Sequence, residues 1–246
     1  MEQGQLPFVV LSRNCDKLSD LIQKYQIPVI KNIDEDCLEL LNINDRLSLR
    51  LHQTSKTTDY NIDFNSGKYS HRAKYGGGKN QTLIKACGLN KEKNLKIIDC
   101  TAGFLNDSFV LANNGANLIC IERFLPLYIL LKNALKKHNP YNIQLIHGNA
   151  IEYLNKLKEC VDVIYLDPMW QRSKNNAEPQ KNMQLLKLAY ADKSEQQNEK
   201  NTLNLLNLSL KKAYKVVLKR RLKNPVLQTP HHNLQNKRTR FDVYVN

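Results

Sequence analysis

The sequence lacks the features of membrane-anchored, disulfide-bonded and zinc-binding proteins. Its 246 residues contain no apolar run of about 18 residues, the length that a membrane-spanning helix requires. The first residues also lack the basic and apolar segments of a secretory signal. The six cysteines form no C-x-x-C pair, so we expect free thiols in a cytoplasmic protein without a bound metal or membrane contact.

Two phosphate-binding motifs are missing as well. Leu105 stands where a dinucleotide-binding G-x-G-x-x-G turn would carry its second glycine, which disfavours a bound pyrophosphate. Residues 76–78 are three consecutive glycines, but Lys79 is not followed by Ser or Thr. A Walker A loop is therefore excluded.

Acidic residues are scarce relative to basic ones. The chain has 37 Lys and Arg residues against 23 Asp and Glu, a formal net charge of +14. Such an excess favours a polyanionic partner, most often nucleic acid. The alternative is a Lys-rich surface that only keeps the protein in solution.

The pattern of apolar residues predicts two regions. Residues 1–80 are expected to form a small mixed α/β subdomain, with strands at 6–11, 37–42, 46–53 and 60–64 and a helix at 16–25. Residues 81–246 alternate between strands and helices, which implies a mostly parallel sheet with helices on both faces. The predicted strands are 95–100, 117–122, 143–147, 161–167, 215–219 and 240–245. The predicted helices are 107–114, 125–137, 151–157, 182–191 and 203–213.

The loop after the first strand of the second region has the position of a cofactor-binding turn. Asp99 ends the strand, and Gly103 permits a tight turn with close backbone approach. Asp107 suits a ligand ammonium, and the helix amides that follow suit a carboxylate. Asn106 and Asp107 are equally suited to cap that helix.

Two further strand ends carry polar residues. Glu122 and Arg123 follow the second strand, where a carboxylate is expected to bind ribose hydroxyls; the alternative is a surface ion pair. Asn149 and Ala150 follow the third strand and can border an adenine ring. Asn149 is equally a helix N-cap.

The fourth strand ends at Asp167-Pro168-Met169-Trp170, because Pro168 cannot donate to a ladder. An acidic residue, Pro, one residue and an aromatic is typical of S-adenosylmethionine (SAM) enzymes that methylate base amino groups. Asp167 and the Pro168 carbonyl can accept the amine hydrogens, and Trp170 can stack on a flipped-out base. The alternative is a strand-ending turn with a packed Trp.

Two basic segments are candidates for phosphate contacts. The first surrounds the glycine run, and the second follows the fifth strand. Their candidate residues are His71, Arg72, Lys74, Tyr75, Lys79, Arg220 and Arg221. The first segment is equally suited to be a linker, and the second to be a solvated edge.

In combination these residues resemble the RsmJ family of ribosomal RNA methyltransferases. The matching segments are His71–Gly78 with one free position, Asp99-x-Thr-Ala-Gly103, Asp107, Glu122-Arg123, Leu145–His147, Asp167–Met169 and Arg240-Phe-Asp-x-Tyr244. The family pattern has Gly-Arg where this chain has Leu105-Asn106, and Phe-Pro where it has Trp170-Gln171. The resemblance implies a class I, Rossmann-like fold with a mostly parallel, seven-stranded sheet. It also implies a SAM site at Asn106, Asp107, Glu122, Arg123, Asn149, Ala150 and Asp167.

The resemblance further implies methyl transfer to the N2 amine of a guanosine in 16S ribosomal RNA, either free or within the small ribosomal subunit. We expect a metal-free reaction by a monomer. Two alternatives stay open. One is methylation of another amine, such as adenine N6 or a protein amide. The other is a non-catalytic RNA-binding protein that retains the fold.

Overall fold

The computed structural model describes residues 6–64, 81–141, 143–168, 181–190 and 195–246. The N-terminal part forms a five-stranded sheet in the order β2-β1-β3-β4-β5. Its strands are β1 (Phe8–Leu11), β2 (Val29–Ile30), β3 (Cys37–Ile43), β4 (Arg46–Gln53) and β5 (Lys56–Asn61), and helix α1 (Cys15–Tyr25) follows a 3-10 turn, Ser12–Asn14.

The last of these strands was predicted wrongly, at 60–64. In β5 only Tyr60 is buried, and the residues before it are polar. The strand therefore lacks the alternation of apolar and polar residues by which strands were predicted. Pairing with β4 defines it instead, with Gln53 opposite Lys56 and Leu49 opposite Tyr60.

The larger sheet has seven strands in the order β11-β12-β10-β9-β6-β7-β8. They are β6 (Lys96–Asp99), β7 (Asn117–Glu122), β8 (Gln144–His147), β9 (Val161–Leu166), β10 (Ala213–Arg221), β11 (His232–Gln235) and β12 (Thr239–Val245). Strands β6 to β10 run parallel, and β12 is antiparallel to β10 and β11. The predicted mostly parallel, seven-stranded sheet is confirmed.

Six helices accompany this sheet in the described part of the chain. They are α2 (Thr82–Cys87), α3 (Asn106–Asn113), α4 (Leu125–Lys137), α5 (Ala150–Lys156), α6 (Lys181–Tyr190) and α7 (Glu195–Leu210). Each is too short or too polar to cross a bilayer. Helix α2 was not predicted. Helix α7 begins eight residues before the predicted 203, because its first half is rich in Glu, Gln and Asn and lacks an apolar pattern.

Apolar side chains cover both faces of the larger sheet. Ile97 and Val163 point into one cluster, whereas their neighbours Ile98 and Ile164 point into the other. This two-sided burial explains why the strands read as continuous apolar runs.

The first cluster continues into the N-terminal sheet. Phe64 stacks on Phe109 of α3 with ring centroids 4.4 Å apart, and Lys137 donates to the Asp45 carbonyl over 3.2 Å. The two regions therefore share one core, and the boundary at residue 80 stays a prediction.

The order of the strands along the chain reverses at β6. Strand β6 pairs with β7 on one side and with β9 on the other, so the chain leaves its carboxyl end toward one side and returns from the other. Ligands of open α/β sheets bind in the crevice formed at such a point. Asp99 ends β6 and Asp167 follows β9, which places both residues at this edge.

The loop between β6 and α3 has an unusual backbone at Leu105. This residue lies in the left-handed region, with φ 58° and ψ 20°, directly before α3. Its side chain is fully buried. A glycine-like turn is thus retained without glycine, and burial of the Leu side chain offsets a conformational cost of about 1–2 kcal/mol.

Replacement of Leu105 should reverse the usual order of Ala and Gly. Both Leu105→Ala and Leu105→Gly lose the buried side chain, but only glycine relieves the left-handed backbone. We expect Leu105→Gly to be more stable than Leu105→Ala by about 1 kcal/mol in urea unfolding.

Leu111 provides the matched control, since it is equally buried but lies within α3. There the glycine variant should be less stable than the alanine variant by about 1 kcal/mol. The same order at both positions would contradict the assigned backbone strain.

Candidate active site

The buried carboxylate of Asp99 organises the loop that follows β6. It accepts hydrogen bonds from the Thr101 amide at 2.9 Å, from Thr101 Oγ1 at 3.2 Å and from Ser108 Oγ at 2.5 Å. The residue is 2% exposed, and burial raises the pKa of its carboxyl to about 6. Asp99 thus shapes the cofactor turn by joining its first residues to α3.

Thr101 connects this loop to the neighbouring strand end. While its hydroxyl donates to Asp99, it accepts the backbone N–H of Asp167 at 2.7 Å. The Cys100 amide also donates to the Tyr165 carbonyl at 3.1 Å. The backbone of Asp167 is consequently fixed by the same loop that Asp99 holds.

Three charged side chains meet in front of this loop. Lys219 Nζ, from β10, lies 2.6 Å from Asp107 Oδ2 and 2.7 Å from Asp167 Oδ2. The Tyr165 hydroxyl donates to the same Asp107 oxygen over 2.7 Å. The two acidic residues that the sequence predicted as ligands of cofactor and substrate are therefore brought together by a lysine.

Glu122 closes the other side of the loop. Its carboxylate accepts the Gly103 amide at 3.0 Å and the Phe124 amide at 2.7 Å, and the residue is 2% exposed. Glu122 thereby holds the loop against β7. Arg123 is exposed, and its carbonyl lies 3.2 Å from His147 Nε2.

After β8, Asn149 caps the helix that follows, as one of its two interpretations predicted. The Asn149 side chain accepts the Ile151 amide at 2.8 Å, and Ala150 is the first residue of α5. Gly148 is tied to the neighbouring strand end, since its amide donates to the Glu122 carbonyl at 3.0 Å. Any contact of Asn149 or Ala150 with an adenine ring stays a prediction.

Several predicted residues lie outside the described part of the chain. These are His71, Arg72, Lys74, Tyr75, Lys79 and Trp170. Of the remaining catalytic candidates, Pro168 is half-buried and follows Asp167 at the sheet edge.

The structure contradicts a nucleic-acid contact for Arg220. This residue is 1% exposed, and its guanidinium donates to the Pro225 carbonyl at 2.9 Å and pairs with Glu199 at 3.4 Å. Arg220 therefore lies inside the protein, because alternate residues of a strand face opposite sides. Arg221, the next residue, is half-buried at the end of β10.

Three residues of the site were not predicted from the sequence. Lys219 was predicted as the last residue of the fifth strand and not as a residue of the site, although its position near the end of β10 places it at the ligand edge. Tyr165 lies two residues before Asp167 and so faces the same side of the strand. Leu186 of α6 is buried, and its Cδ1 atom would lie 3.9 Å from a Cβ on Gly103.

Comparisons with known proteins identify the family and the fold. A family model described as "Putative SAM-dependent methyltransferase" matches residues 20–246. The chain belongs to this family. Two relatives, both named ribosomal RNA small subunit methyltransferase J, come from Coxiella burnetii (strain RSA 331) and Shewanella amazonensis. The first is 36% identical and covers 92% of this chain and 90% of the relative; the second is 32% identical, with 96% and 97% covered.

A solved structure shows the same fold. The SAM-dependent methyltransferase from Neisseria gonorrhoeae superposes with a TM-score of 0.71 at 26% identity, and covers 97% of this chain and 95% of that one. The class I, Rossmann-like methyltransferase fold predicted from the sequence is confirmed, as is the assignment of SAM as cofactor.

The described residues fit this cofactor. SAM carries an ammonium and a sulfonium, and the crevice presents two carboxylates, Asp107 in the first turn of α3 and Asp167 directly after β9. The end of β8 is open as well, since a Cβ added to Gly148 would meet no atom within 4 Å.

The raised pKa of Asp99 predicts a specific pH dependence of stability. A carboxyl with a folded pKa of about 6, against 3.8 ordinarily, binds its proton more tightly in the folded state. Its stabilising contribution is complete below about pH 4 and is lost as the pH rises through about 6. In Asp99→Asn this loss should be absent.

The measurement is the free energy of unfolding of both proteins from pH 4 to 8. The difference, wild type minus Asp99→Asn, should fall between about pH 4 and 6 by at most about 1.4 kcal/mol per pH unit, and then stay level. A difference that does not change with pH would exclude a protonated Asp99 in the folded protein.

Proposed function

We propose that this protein transfers a methyl group from SAM to the exocyclic N2 amine of a guanosine in 16S ribosomal RNA. It acts in the cytoplasm on free RNA or on the small ribosomal subunit. The observation that carries the proposal is the placement of Asp167, whose backbone is fixed by the cofactor loop and whose carboxylate reaches the ligand crevice. The names of the relatives and the net charge of +14 support the choice of substrate.

The chemical task is to make a poor nucleophile attack. The lone pair of an exocyclic amine is delocalised into the ring, and two hydrogen-bond acceptors can aim it and stabilise the developing positive charge. Asp167 and the Pro168 carbonyl supply these acceptors, and Trp170 supplies a stacking surface for the base. The bound cofactor provides the electrophilic methyl group.

Other residues hold the cofactor in this proposal. Asp107 pairs with its ammonium, and amides at the start of α3 receive its carboxylate. Glu122 acts at the ribose, and it also fixes the loop through Gly103. Charge and hydrogen-bond geometry suffice for these roles, so the proposed reaction uses no metal.

Exposed cations lie at the same edge of the sheet. Lys223 follows β10, and Lys237 and Arg238 form the turn between β11 and β12. The Arg238 carbonyl accepts the Leu222 amide at 3.1 Å, which places that turn beside the carboxyl end of β10. We call these three residues the basic rim, and propose that it contacts RNA phosphates together with Arg221.

Replacement of the basic rim should reduce the salt dependence of RNA binding. Each phosphate contact contributes about 0.7–0.9 to the slope of log affinity against log salt. The triple variant Lys223→Ala, Lys237→Ala, Arg238→Ala should therefore lower that slope by about 2. Filter binding of ribosomal RNA at several salt concentrations measures it, and calorimetry should show unchanged SAM affinity.

Lys156, Lys158 and Lys211 provide the control set. They are exposed and directly precede β9 or β10, so they lie at the opposite edge of the sheet. Alanine at these positions removes the same charge but should leave the slope nearly unchanged. Equal slopes for the two triple variants would assign the effect to net charge rather than to the rim.

Asp167→Asn should slow methyl transfer by about a hundredfold or more, the loss typical of a missing transition-state hydrogen bond. The matched control is Asp162→Asn, because Asp162 lies on the same strand at its opposite end and accepts the Lys96 amide at 2.7 Å. Single-turnover rates at saturating SAM measure both. A near-normal rate for Asp167→Asn would assign the acceptor role to another group.

The substrate itself is tested with small ribosomal subunits from a strain that lacks this protein. Incubation with the purified protein and labelled SAM, followed by nuclease digestion and mass mapping, should yield N2-methylguanosine at one site. Label in adenosine or in ribosomal protein would contradict the proposed substrate. No label in any fraction, together with intact SAM binding, would favour a non-catalytic role.

A further inference from the structure

The cation that joins the two site carboxylates has no role in the proposal above. Lys219 donates to Asp107 over 2.6 Å and to Asp167 over 2.7 Å. Asp107 belongs to the cofactor side of the crevice and Asp167 to the substrate side. One ammonium therefore spans both halves of the site.

We propose that Lys219 is a positioning residue for methyl transfer, which keeps Asp107 and Asp167 ionised and correctly oriented. This inference rests on the proposed function, because it assigns Asp167 to the target amine. Without Lys219 between them, the carboxylates of Asp107 and Asp167 would repel each other. One of the two would then be neutralised by a proton.

The surroundings of Lys219 support a role for its charge. Its side chain is 24% exposed and that of Asp107 only 11% exposed, so solvent screens the pair weakly. Burial opposes the charged form of Lys219, but Asp167 and Asp107 outweigh it and hold the pKa of Lys219 above its usual value. Lys219 therefore stays protonated and cannot accept the proton that the methylated amine releases.

Two other titratable groups face this cluster. Asp99 lies behind the loop and is bonded to Thr101 and Ser108, and the Tyr165 hydroxyl donates to Asp107. Burial raises the pKa of Tyr165 well above its usual value, so this phenol stays neutral. Lys219 is a cation that contacts both carboxylates.

The first test is the pH dependence of SAM binding, measured by calorimetry from pH 4 to 8. As the pH is lowered, the SAM affinity of Lys219→Met should begin to fall at a pH about 1 unit or more higher than that of the wild type. The reason is that a proton on one of the two carboxylates replaces the lysine as the neutralising charge. Lys219→Arg keeps the charge and should stay close to the wild type.

Lys215→Met is the matched control. Lys215 lies on the same face of the same strand, four residues earlier and away from the ligand edge. Its replacement removes one charge but should leave the pH midpoint unchanged. A midpoint in Lys219→Met equal to that of the wild type would overturn the proposal, as would an equal shift in Lys219→Arg.

The second test is the rate of methyl transfer at saturating SAM. The rate of methyl transfer by Lys219→Met should be at least tenfold lower than that of the wild type at pH 7. The acidic side of its pH–rate profile should also move to higher pH, as in the binding test. A purely structural role would instead lower the rate equally at every pH. An unmoved acidic side of the profile would contradict the proposal. If wild type methylates no RNA, the proposed function fails, and the binding test still decides whether Lys219 controls the carboxylates.

If Lys219→Met does not fold, the double variant Asp107→Asn, Lys219→Met replaces it. Removal of Asp107 together with the lysine relieves the repulsion between Asp107 and Asp167. The double variant should therefore fold. A double variant as unstable as the single one would show that Lys219 acts through packing, against the proposal.

Discussion

The structure of the site depends on one buried carboxylate at the end of β6. Asp99 accepts three hydrogen bonds, and through Thr101 it is coupled to the backbone of Asp167. A buried acid is costly to ionise, and the local donors offset part of that cost and fix the turn. The sheet therefore places the two strand ends side by side, and Asp99 determines how the chain leaves the first of them.

Leu105 shows how the same turn tolerates a changed sequence. A left-handed residue normally favours glycine, yet Leu105 adopts φ 58° and is fully buried. Burial of the Leu105 side chain stabilises a backbone conformation that is unfavourable for leucine. A leucine at this position is thus compatible with a left-handed turn before α3, and it gives no reason to assign the protein a non-catalytic role.

The larger sheet and its helices could be predicted from the sequence because their apolar periodicity is strong. Strand β7 and helix α4 have the predicted bounds. Strand β5 could not be located in this way, since it is an edge strand of mainly polar residues. The acidic residues of the site could be predicted, because they follow strands that the sequence itself indicates. The lysine of the site could not, because contacts between β10 and α3 depend on tertiary packing.

Position within one strand separates two neighbouring basic residues. Lys219 faces the ligand edge and bonds two carboxylates, whereas Arg220 faces the interior and bonds the Pro225 carbonyl. Positive charge alone would assign both to nucleic acid, but alternation along the strand gives each a different partner. The same excess of basic residues therefore serves two purposes here. Exposed cations at the sheet edge suit a polyanion, and a half-buried one joins the two carboxylates of the crevice.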